Sequence, residues 1–147
     1  MPTYDLQVMP AASTGPNTGT IAFGYGSQTR SLTGAEKLAQ QFFICLLSSS
    51  GSAIDDPTYG TSLGATLGGS NATNDAAIAE AVQNAITQAV AWFRRNQPTG
   101  LPASERLGGA AMSSFSRGAD GATISAQIAI STLAGGVLQI TGPLTTT

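Results

Sequence analysis

Histidine is absent from this 147-residue chain, and cysteine occurs only once, as Cys45. A single cysteine excludes an intrachain disulfide. A catalytic cysteine normally needs a neighbouring base, most often histidine, to activate its thiol. Because Cys45 lies in the apolar run 42–47 and no histidine is present, we predict that it is a small core residue.

Charged residues are also scarce, at 10% of the chain against about 25% in typical soluble domains. An isolated domain relies on surface charge to stay dispersed. We therefore predict that partner proteins cover much of the surface, with a neutral surface rich in Ser, Thr and Gln as the alternative. The net charge of −2 argues against nucleic-acid binding, as does the scatter of Lys and Arg outside the pair Arg94-Arg95.

Long apolar runs are missing as well, because no segment approaches the ~18 residues of a membrane span. No membrane partner is therefore predicted. The first residues also lack the basic start and apolar stretch of a secretory signal. We expect the protein to act in the cytoplasm in which it is made, or within an assembly built there.

The acidic residues offer no aligned catalytic pair. Hydrolysis of a glycosidic bond needs two carboxyl groups that flank it. Helix starts account for Glu36 and Asp75, the polar side of a helix for Glu80, and a turn for Asp120. Of the candidates for a catalytic pair, this leaves Asp55, Asp56 and Glu105, and no spacing aligns them. Asp55-Asp56 also lacks the spacing of a calcium loop, so a turn in which an Asp side chain accepts from the backbone is preferred. The sequence therefore predicts no catalytic residue, no metal site and no cofactor.

A first helix is predicted to begin at the capping box 33–36. In this motif the Thr33 oxygen accepts from the backbone N–H of Glu36, and Glu36 reaches back to the N–H of Thr33. The helix is expected to end at residues 48–51. Its apolar residues recur with helical spacing at Leu38, Phe42, Cys45 and Leu46.

A second helix is predicted from Asp75 to Arg95, with Asn74 or Asp75 as its cap. Its apolar face is formed by Ile78, Val82, Ile86, Val90 and Phe93. Between the helices, residues 51–74 are predicted to form a long connection. A connection of this length in a compact domain either packs as a fixed structure or makes a contact.

The N-terminal residues 1–33 are predicted to form an arm with short strands. Tyr4, Leu6 and Val8 alternate as in a strand, and Ile21 and Phe23 indicate a second one. Residues 9–20 contain Pro and Gly and no periodicity, which favours a loop that is mobile in the free protein.

The C-terminal third is predicted to form a three-stranded β-meander over 109–116, 123–130 and 137–141, followed by a polar tail over 143–147. Turns are expected at Asp120-Gly121 and at 134–136. With the two helices, this predicts an α+β fold in which two main helices pack on a mostly antiparallel sheet. Residues 34–147 are expected to form a single α+β domain.

The last strand carries the clearest functional signal. Natural sheets protect exposed edges with charges, Pro or bulges, and this strand has none of these before Pro143. An unprotected edge can accept a strand from another chain. Partner pairing is therefore predicted at Val137, Leu138, Gln139 and Ile140. The alternative is that residues 1–25 of the same chain cover this edge.

The order of these features resembles the sheath-initiator family of contractile phage baseplates. This baseplate wedge family is shared with type VI secretion baseplates and is sometimes labelled lysozyme-like. The resemblance covers roughly residues 34–141 and rests on two motifs. A Pro-x-x-Gly-x-x-Leu loop is matched by Pro57, Gly60 and Leu63. A Glu-Pro-Arg motif after the long helix is matched in part by Glu105 and Arg106, which are adjacent here and lie well past the helix end.

The resemblance implies a structural subunit of the virion, in the tail baseplate, that is made in the host cytoplasm and is not an enzyme. It implies multiple copies around the tail axis, with the tail sheath protein, baseplate wedge proteins and the tail tube as partners. Such a subunit templates sheath assembly by pairing strands with the first sheath ring. Pro57, Gly60, Leu63, Glu105 and Arg106 would then contact partners.

Three other interpretations stay open at this point. The chain could be a different structural subunit of a phage tail or baseplate, which would share its composition. The lysozyme-like label suggests a cell-wall hydrolase, which the missing histidine and the unaligned carboxylates argue against. A free-standing cytoplasmic binding module is the third.

Overall fold

The computed structural model describes residues 5–6, 11–13, 19–23, 31–68, 74–121 and 123–145, and it confirms the α+β class. Its helices are α1 (Gly34–Leu47), α2 (Leu63–Leu67) and α3 (Asp75–Asn96), and a short 3-10 helix covers Ala103–Glu105. Its strands are β1 (Asp5–Leu6), β2 (Ala11–Ser13), β3 (Gly19–Phe23), β4 (Ser31–Leu32), β5 (Leu107–Arg117), β6 (Thr123–Thr132) and β7 (Val137–Thr145).

Five of these strands form one sheet in the order β2-β3-β7-β6-β5. The antiparallel pairs β5–β6 and β6–β7 are the predicted meander, which is confirmed. On the other side of β7, β3 pairs in parallel, with Gly19 opposite Leu138 and Ala22 opposite Thr141. The sheet is thus mostly antiparallel, as predicted. β1 and β4 form a separate two-stranded sheet.

The terminal strand lies inside the sheet, so the prediction that it presents an unpaired edge is wrong. It pairs with β6 on one side and with β3 on the other. The alternative was correct, because a strand from residues 1–25 covers this edge. β7 also continues to Thr145, and Leu144 is buried, so the predicted polar tail begins as a strand whose residues share the core. Residues 146–147 lie outside the described residues.

Part of the N-terminal arm forms a hairpin. The strand predicted at Ile21 and Phe23 is confirmed in β3. The loop predicted over 9–20 is wrong at 11–13 and at 19–20, because β2 pairs antiparallel with β3 and supplies backbone partners that the local sequence does not indicate. Leu6 lies in β1, whereas Tyr4 and Val8 are outside the described residues. The predicted boundary between an N-terminal arm (1–33) and a domain (34–147) stays a prediction. The five-stranded sheet contains strands from both sides of this boundary.

The helix boundaries follow the sequence closely. Asn74 caps α3, since its side-chain oxygen accepts from the backbone N–H of Ala77 at 2.8 Å. Thr33 occupies the N-cap of α1 but makes no side-chain capping hydrogen bond, so its half of the predicted capping box is wrong. The next residue, Gly34, has φ 58°, which turns the chain away from helical geometry between Thr33 and the first helical turn. Within the connection predicted over 51–74, α2 is an additional helix.

The core lies between the sheet and the two main helices. α1 packs against β7, and α3 runs along β5. β6 alternates as predicted, and the buried side chains of β6 and β7 point toward the helices. These buried residues are Ile124, Ala126, Ile128, Ile130, Leu138, Ile140 and Leu144. The helices meet where the rings of Phe42 and Phe93 lie with centroids 5.7 Å apart.

The closest approach of α1 to the sheet occurs at Gly142, where a Cβ atom would overlap the ring of Phe43. Phe43 is 1% exposed, so its ring has no open space into which it can move. We expect Gly142→Ala to lower the free energy of unfolding by roughly 2 kcal/mol through overpacking, measured by urea denaturation. Gly100→Ala is the control, because nothing lies near the added methyl. Equal midpoints for the two variants would contradict the expectation.

Candidate functional site

The residues predicted to bind partners separate into two groups by burial. Those that are buried, and cannot present a side chain to a partner, are Gly60, Leu63, Glu105, Leu138 and Ile140. Those that are exposed or half-buried are Pro57, Arg106, Val137 and Gln139. The partner contacts predicted for the first group stay predictions, and the burial of these side chains shows that each of them has a place in the fold of this chain.

The loop from Pro57 to Leu63 is tied to the end of α1. The backbone N–H of Thr61 donates to the carbonyl of Ser48 at 2.8 Å, and the N–H of Ser50 donates to the carbonyl of Thr61 at 2.9 Å. The Thr61 hydroxyl donates to the carbonyl of Leu46 at 2.7 Å. The carbonyl groups of Leu46 and Ser48, at the end of α1, thereby gain the hydrogen-bond partners that a helix end lacks.

Gly60 allows this loop to approach the helix end. Its φ of 98° is a conformation that favours glycine, and a Cβ at this position would lie 2.7 Å from the carbonyl oxygen of Ser48. Three residues later, Leu63 is 2% exposed and enters the core. The path of the loop therefore explains Gly60 and Leu63 of the Pro-x-x-Gly-x-x-Leu pattern, whereas Pro57 is exposed.

Glu105 connects the segment before β5 to helix α1 through a buried ion pair. Its carboxylate lies 3.3 Å from the ammonium group of Lys37 on α1, and the two side chains are 2% and 10% exposed. Gln97 holds the same segment from the end of α3. Its amide donates to the carbonyl of Glu105 at 3.2 Å and accepts from the N–H of Leu107 at 2.8 Å. Glu105 thus joins two elements of one chain, which is one of the two roles open to a polar anchor, and its predicted contact with a partner stays a prediction.

Arg106 and Val137 come together at one end of the sheet. The carbonyl of Arg106 accepts from the N–H of Leu133 at 3.0 Å, and Val137 pairs with Ser131 across the β6–β7 turn. Leu133 and Val137 are 52% and 48% exposed. This end therefore exposes two apolar side chains beside a half-buried arginine.

The carboxylate of Asp56 is hydrogen-bonded to the side chain of Trp92, the only tryptophan of the chain. The indole N–H of Trp92 donates to one carboxylate oxygen at 2.8 Å. The other oxygen accepts from the hydroxyl and the backbone N–H of Thr58, at 2.6 and 2.9 Å. The predicted Asp turn is confirmed. These hydrogen bonds, led by the Thr58 hydroxyl and then the Trp92 indole, lower the pKa of Asp56.

This lowered pKa predicts a specific pH dependence. A carboxyl group with a lower pKa in the folded state contributes stability above its unfolded pKa, near 3.9, and loses it as the pH falls through the folded value. We therefore expect Trp92 fluorescence to change in a step below the usual Asp range, measured by acid titration of the folded chain. The step should vanish in Asp56→Asn and persist in Asp55→Asn. A step that survives Asp56→Asn would assign it to another group.

A cavity of about 390 Å³ opens beside Trp92, between α1 and the end of α3. Tyr59 packs edge to face with Trp92, with centroids 4.9 Å apart, and Trp92 packs likewise with Phe93 at 5.2 Å. Ile44 and Leu101 complete its apolar lining. Its volume is that of a small ligand site. Sequence reasoning missed this cavity, and its one signal was Trp92 directly beside the apolar face of its helix.

The two outer strands of the described sheet, β5 and β2, differ in how well their free edges are protected from pairing with another strand. β5 carries register shifts between Leu107 and Gly109 and between Met112 and Ser114, which are β-bulges. At its end, Arg117 lies 3.4 Å from Asp75 of α3. Bulges and charges discourage strand addition. β2, on the other side, is three residues long. Of the two outer strands, β5 is therefore the one protected by bulges and a charge, whereas β2 is limited by its short length.

Cys45 is buried in the core, as predicted, and burial raises the pKa of its thiol. In the part of the chain that the structure describes, no three His, Cys, Asp or Glu side chains come together in a way that could hold a metal ion.

Among the described helices, none combines the length and the apolar character needed to cross a bilayer. No family model, no curated protein and no solved structure matches this chain.

Proposed function

We propose that this chain is a structural, non-catalytic subunit of a contractile-tail baseplate, and that it templates sheath assembly by strand pairing. One observation carries the proposal. The terminal strand β7 accepts a strand, β3, from a segment far away in the sequence. The sheath-initiator resemblance implies a further pairing of this type, between a strand of this subunit and a strand of the first sheath ring.

The polar side of the sheet supports a contact with other proteins. Across β6 and β7, the positions that point away from the helices carry neutral side chains, among them Ser125, Gln127, Gln139 and Thr141. They are half-buried and bear no charge. A neutral surface of this kind can be covered without the large desolvation penalty of charged groups. The proposed partners are the tail sheath protein and baseplate wedge proteins, with the tail tube nearby.

The test is removal and return of the chain. Phage tails assembled without it should carry baseplates and tubes but no sheath, as seen by electron microscopy. Addition of the purified full-length chain and purified sheath protein should restore sheath on these tubes. Addition of sheath protein with a Leu133→Asp, Val137→Asp variant should restore less, because the exposed apolar end is then charged. Glu80→Gln, on the exposed side of α3, is the control.

Normal sheath on tails that lack the chain would overturn the proposal. Tails without any baseplate would instead indicate a wedge component needed earlier in assembly. Truncation before β7 is unsuitable for this test, because it would remove Leu138, Ile140 and Leu144 from the core.

A further inference from the structure

We infer that two copies of this chain associate through Ile54, whose side chain enters the cavity beside Trp92 (the Trp92 cavity) of the other copy. Two features that the proposed function leaves unused carry this inference. One is a fully exposed apolar side chain on an ordered loop, and the other is a preformed apolar cavity close to that loop. The contact is a property of the free protein and does not depend on the proposed function.

Among the described residues, Ile54 is the most exposed large apolar side chain. Single exposed apolar residues are common and by themselves indicate nothing. Ile54, however, lies in a loop that is held on both sides. Before it, the N–H of Ser52 donates to the carbonyl of Ser49 at 3.1 Å. After it, the Asp56 carboxylate accepts from the backbone N–H of Thr58 at 2.9 Å. An ordered loop loses little conformational freedom on binding, which suits Ile54 to the role of an anchor.

The walls of the Trp92 cavity are fixed by contacts within the chain. The Trp92 ring is held by its hydrogen bond to Asp56. It also packs edge to face with Tyr59 on one side and with Phe93 on the other. The cavity therefore stays open in the free chain, and its apolar walls lack packing partners until a guest enters.

The polar groups of the cavity lining have partners within the chain. The charge of Lys37 is balanced by Glu105, 3.3 Å away. The Asn96 amide donates to the carbonyl of Trp92 at 2.9 Å, and the Gln97 amide is bonded to the segment before β5. A charged guest would lose its hydration without gaining a matching partner. The cavity therefore accepts an uncharged, apolar side chain such as that of Ile54.

The anchor and the cavity lie close together on one chain, which determines how two copies can meet. Asp56 follows Ile54 by two positions, and its carboxylate is 2.8 Å from the indole nitrogen of Trp92. Ile54 is fully exposed, so it does not fill the cavity of its own chain. Two copies that face each other across a two-fold axis can form both contacts at once. A closed pair is therefore expected.

Charges beside the anchor and the cavity are complementary. Asp55 follows Ile54 and is exposed, and Arg95 is exposed on α3 one helical turn after Trp92. Neither Asp55 nor Arg95 forms an ion pair with any residue that the structure describes. When Ile54 enters the cavity, Asp55 is brought toward the side of α3 that carries Arg95. Opposite charges at the rim of a contact favour this orientation of the two copies.

Sedimentation velocity over a concentration series tests the association, and Trp92 fluorescence reports whether the cavity is filled. The native chain should form pairs, with a blue shift of the emission as pairs form. Ile54→Asn removes both anchors of a pair. Each anchor is worth about tenfold in affinity or more, so this variant should associate at least about a hundredfold more weakly. Ile54→Leu should retain the association, and Leu133→Asp, at another exposed apolar position, is the control.

A mixing experiment identifies the cavity as the partner of Ile54. Leu101→Trp places a large ring in the cavity wall and leaves Ile54 intact. Alone, this variant and Ile54→Asn should each sediment as monomers, and circular dichroism checks that each is folded. When they are mixed, the Ile54 side chain of one meets the open cavity of the other. One of the two contacts returns, so the mixture should associate about tenfold more tightly than either variant alone.

Three results would overturn the inference. The first is a native chain that stays monomeric at the highest attainable concentration. The second is a native association that folded Ile54→Asn retains, or that Leu133→Asp weakens equally. The third is a mixture that associates no better than its two components. The sheath assay is decided separately, because a chain that pairs through Ile54 and fails to restore sheath loses only the proposed function.

Discussion

Replacement of Glu105 by alanine is expected to lower the free energy of unfolding by about 3–5 kcal/mol, because it leaves the Lys37 ammonium group buried without this carboxylate. The two groups are 3.3 Å apart, and both side chains are largely withdrawn from solvent. A loss of this size is a large part of the roughly 5–15 kcal/mol that stabilises a typical domain. Urea denaturation followed by Trp92 fluorescence measures it.

Two controls test the cause of this loss. Arg106→Ala changes the neighbouring charge, which is less buried, and should lower stability by less than about 1 kcal/mol. The double variant Lys37→Met, Glu105→Leu removes both charges and keeps apolar volume, so it should recover most of the lost stability. If Arg106→Ala is as destabilising as Glu105→Ala, the buried ion pair is not the main source of stability in this segment.

Gly60→Ala is expected to lower the free energy of unfolding by roughly 3 kcal/mol, as a positive φ and a steric overlap are combined. The φ of Gly60 is 98°, and an added Cβ would lie 2.7 Å and 2.8 Å from the carbonyl oxygens of Ser48 and Ser49. Both are backbone atoms, so no rotation of a side chain relieves the overlap. Chemical denaturation at constant pH measures the effect.

Gly51 provides the matched control in the same connection. Its φ is 83°, and nothing lies within 4 Å of an added Cβ. Gly51→Ala should therefore show the backbone strain alone, about 1–2 kcal/mol. If Gly60→Ala is no more destabilising than Gly51→Ala, close packing against the end of α1 contributes nothing.

The helices and the meander could be predicted because their signals are local. Apolar residues recur along α3 with helical spacing, and β6 alternates at every second position from Ile124 to Ile130. Asp120 and Gly121 mark the turn before β6 by their residue types. The structure buries most of the residues that define these patterns, leaves Val90 of α3 half-buried, and places Asp120 and Gly121 in the turn.

The position of β7 could not be predicted in the same way. Its parallel pairing with β3 depends on two segments that are distant in sequence, and neither segment carries a local mark of the other. An edge without charges is compatible with a covering strand from any chain. The burial of Gly60, Leu63 and Glu105 was missed for a related reason. A motif indicates that a residue is required, and only the fold shows whether it faces the core or a partner.

The hydrogen bonds around Trp92 could be predicted only in part from the sequence. The sequence predicted that Asp56 forms a turn, and the contact with Thr58 confirms it. The second partner of this carboxylate, Trp92, lies 36 positions further along the chain. Contacts over that separation follow from the packing of α3 against the loop, which residue types alone do not specify.

The pairing of β3 with β7 also sets an order of events during synthesis. Gly19 must find Leu138, which follows it by 119 positions, so this is among the last contacts that a growing chain can form. Contacts between distant segments form slowly, because the loop must close before any bond stabilises it. The β2–β3 hairpin is thus synthesised before the helices and the meander, and it can dock on β7 only after β7 has been made. Every newly made chain therefore passes through an interval in which the edge of β7 is open to strands of other molecules.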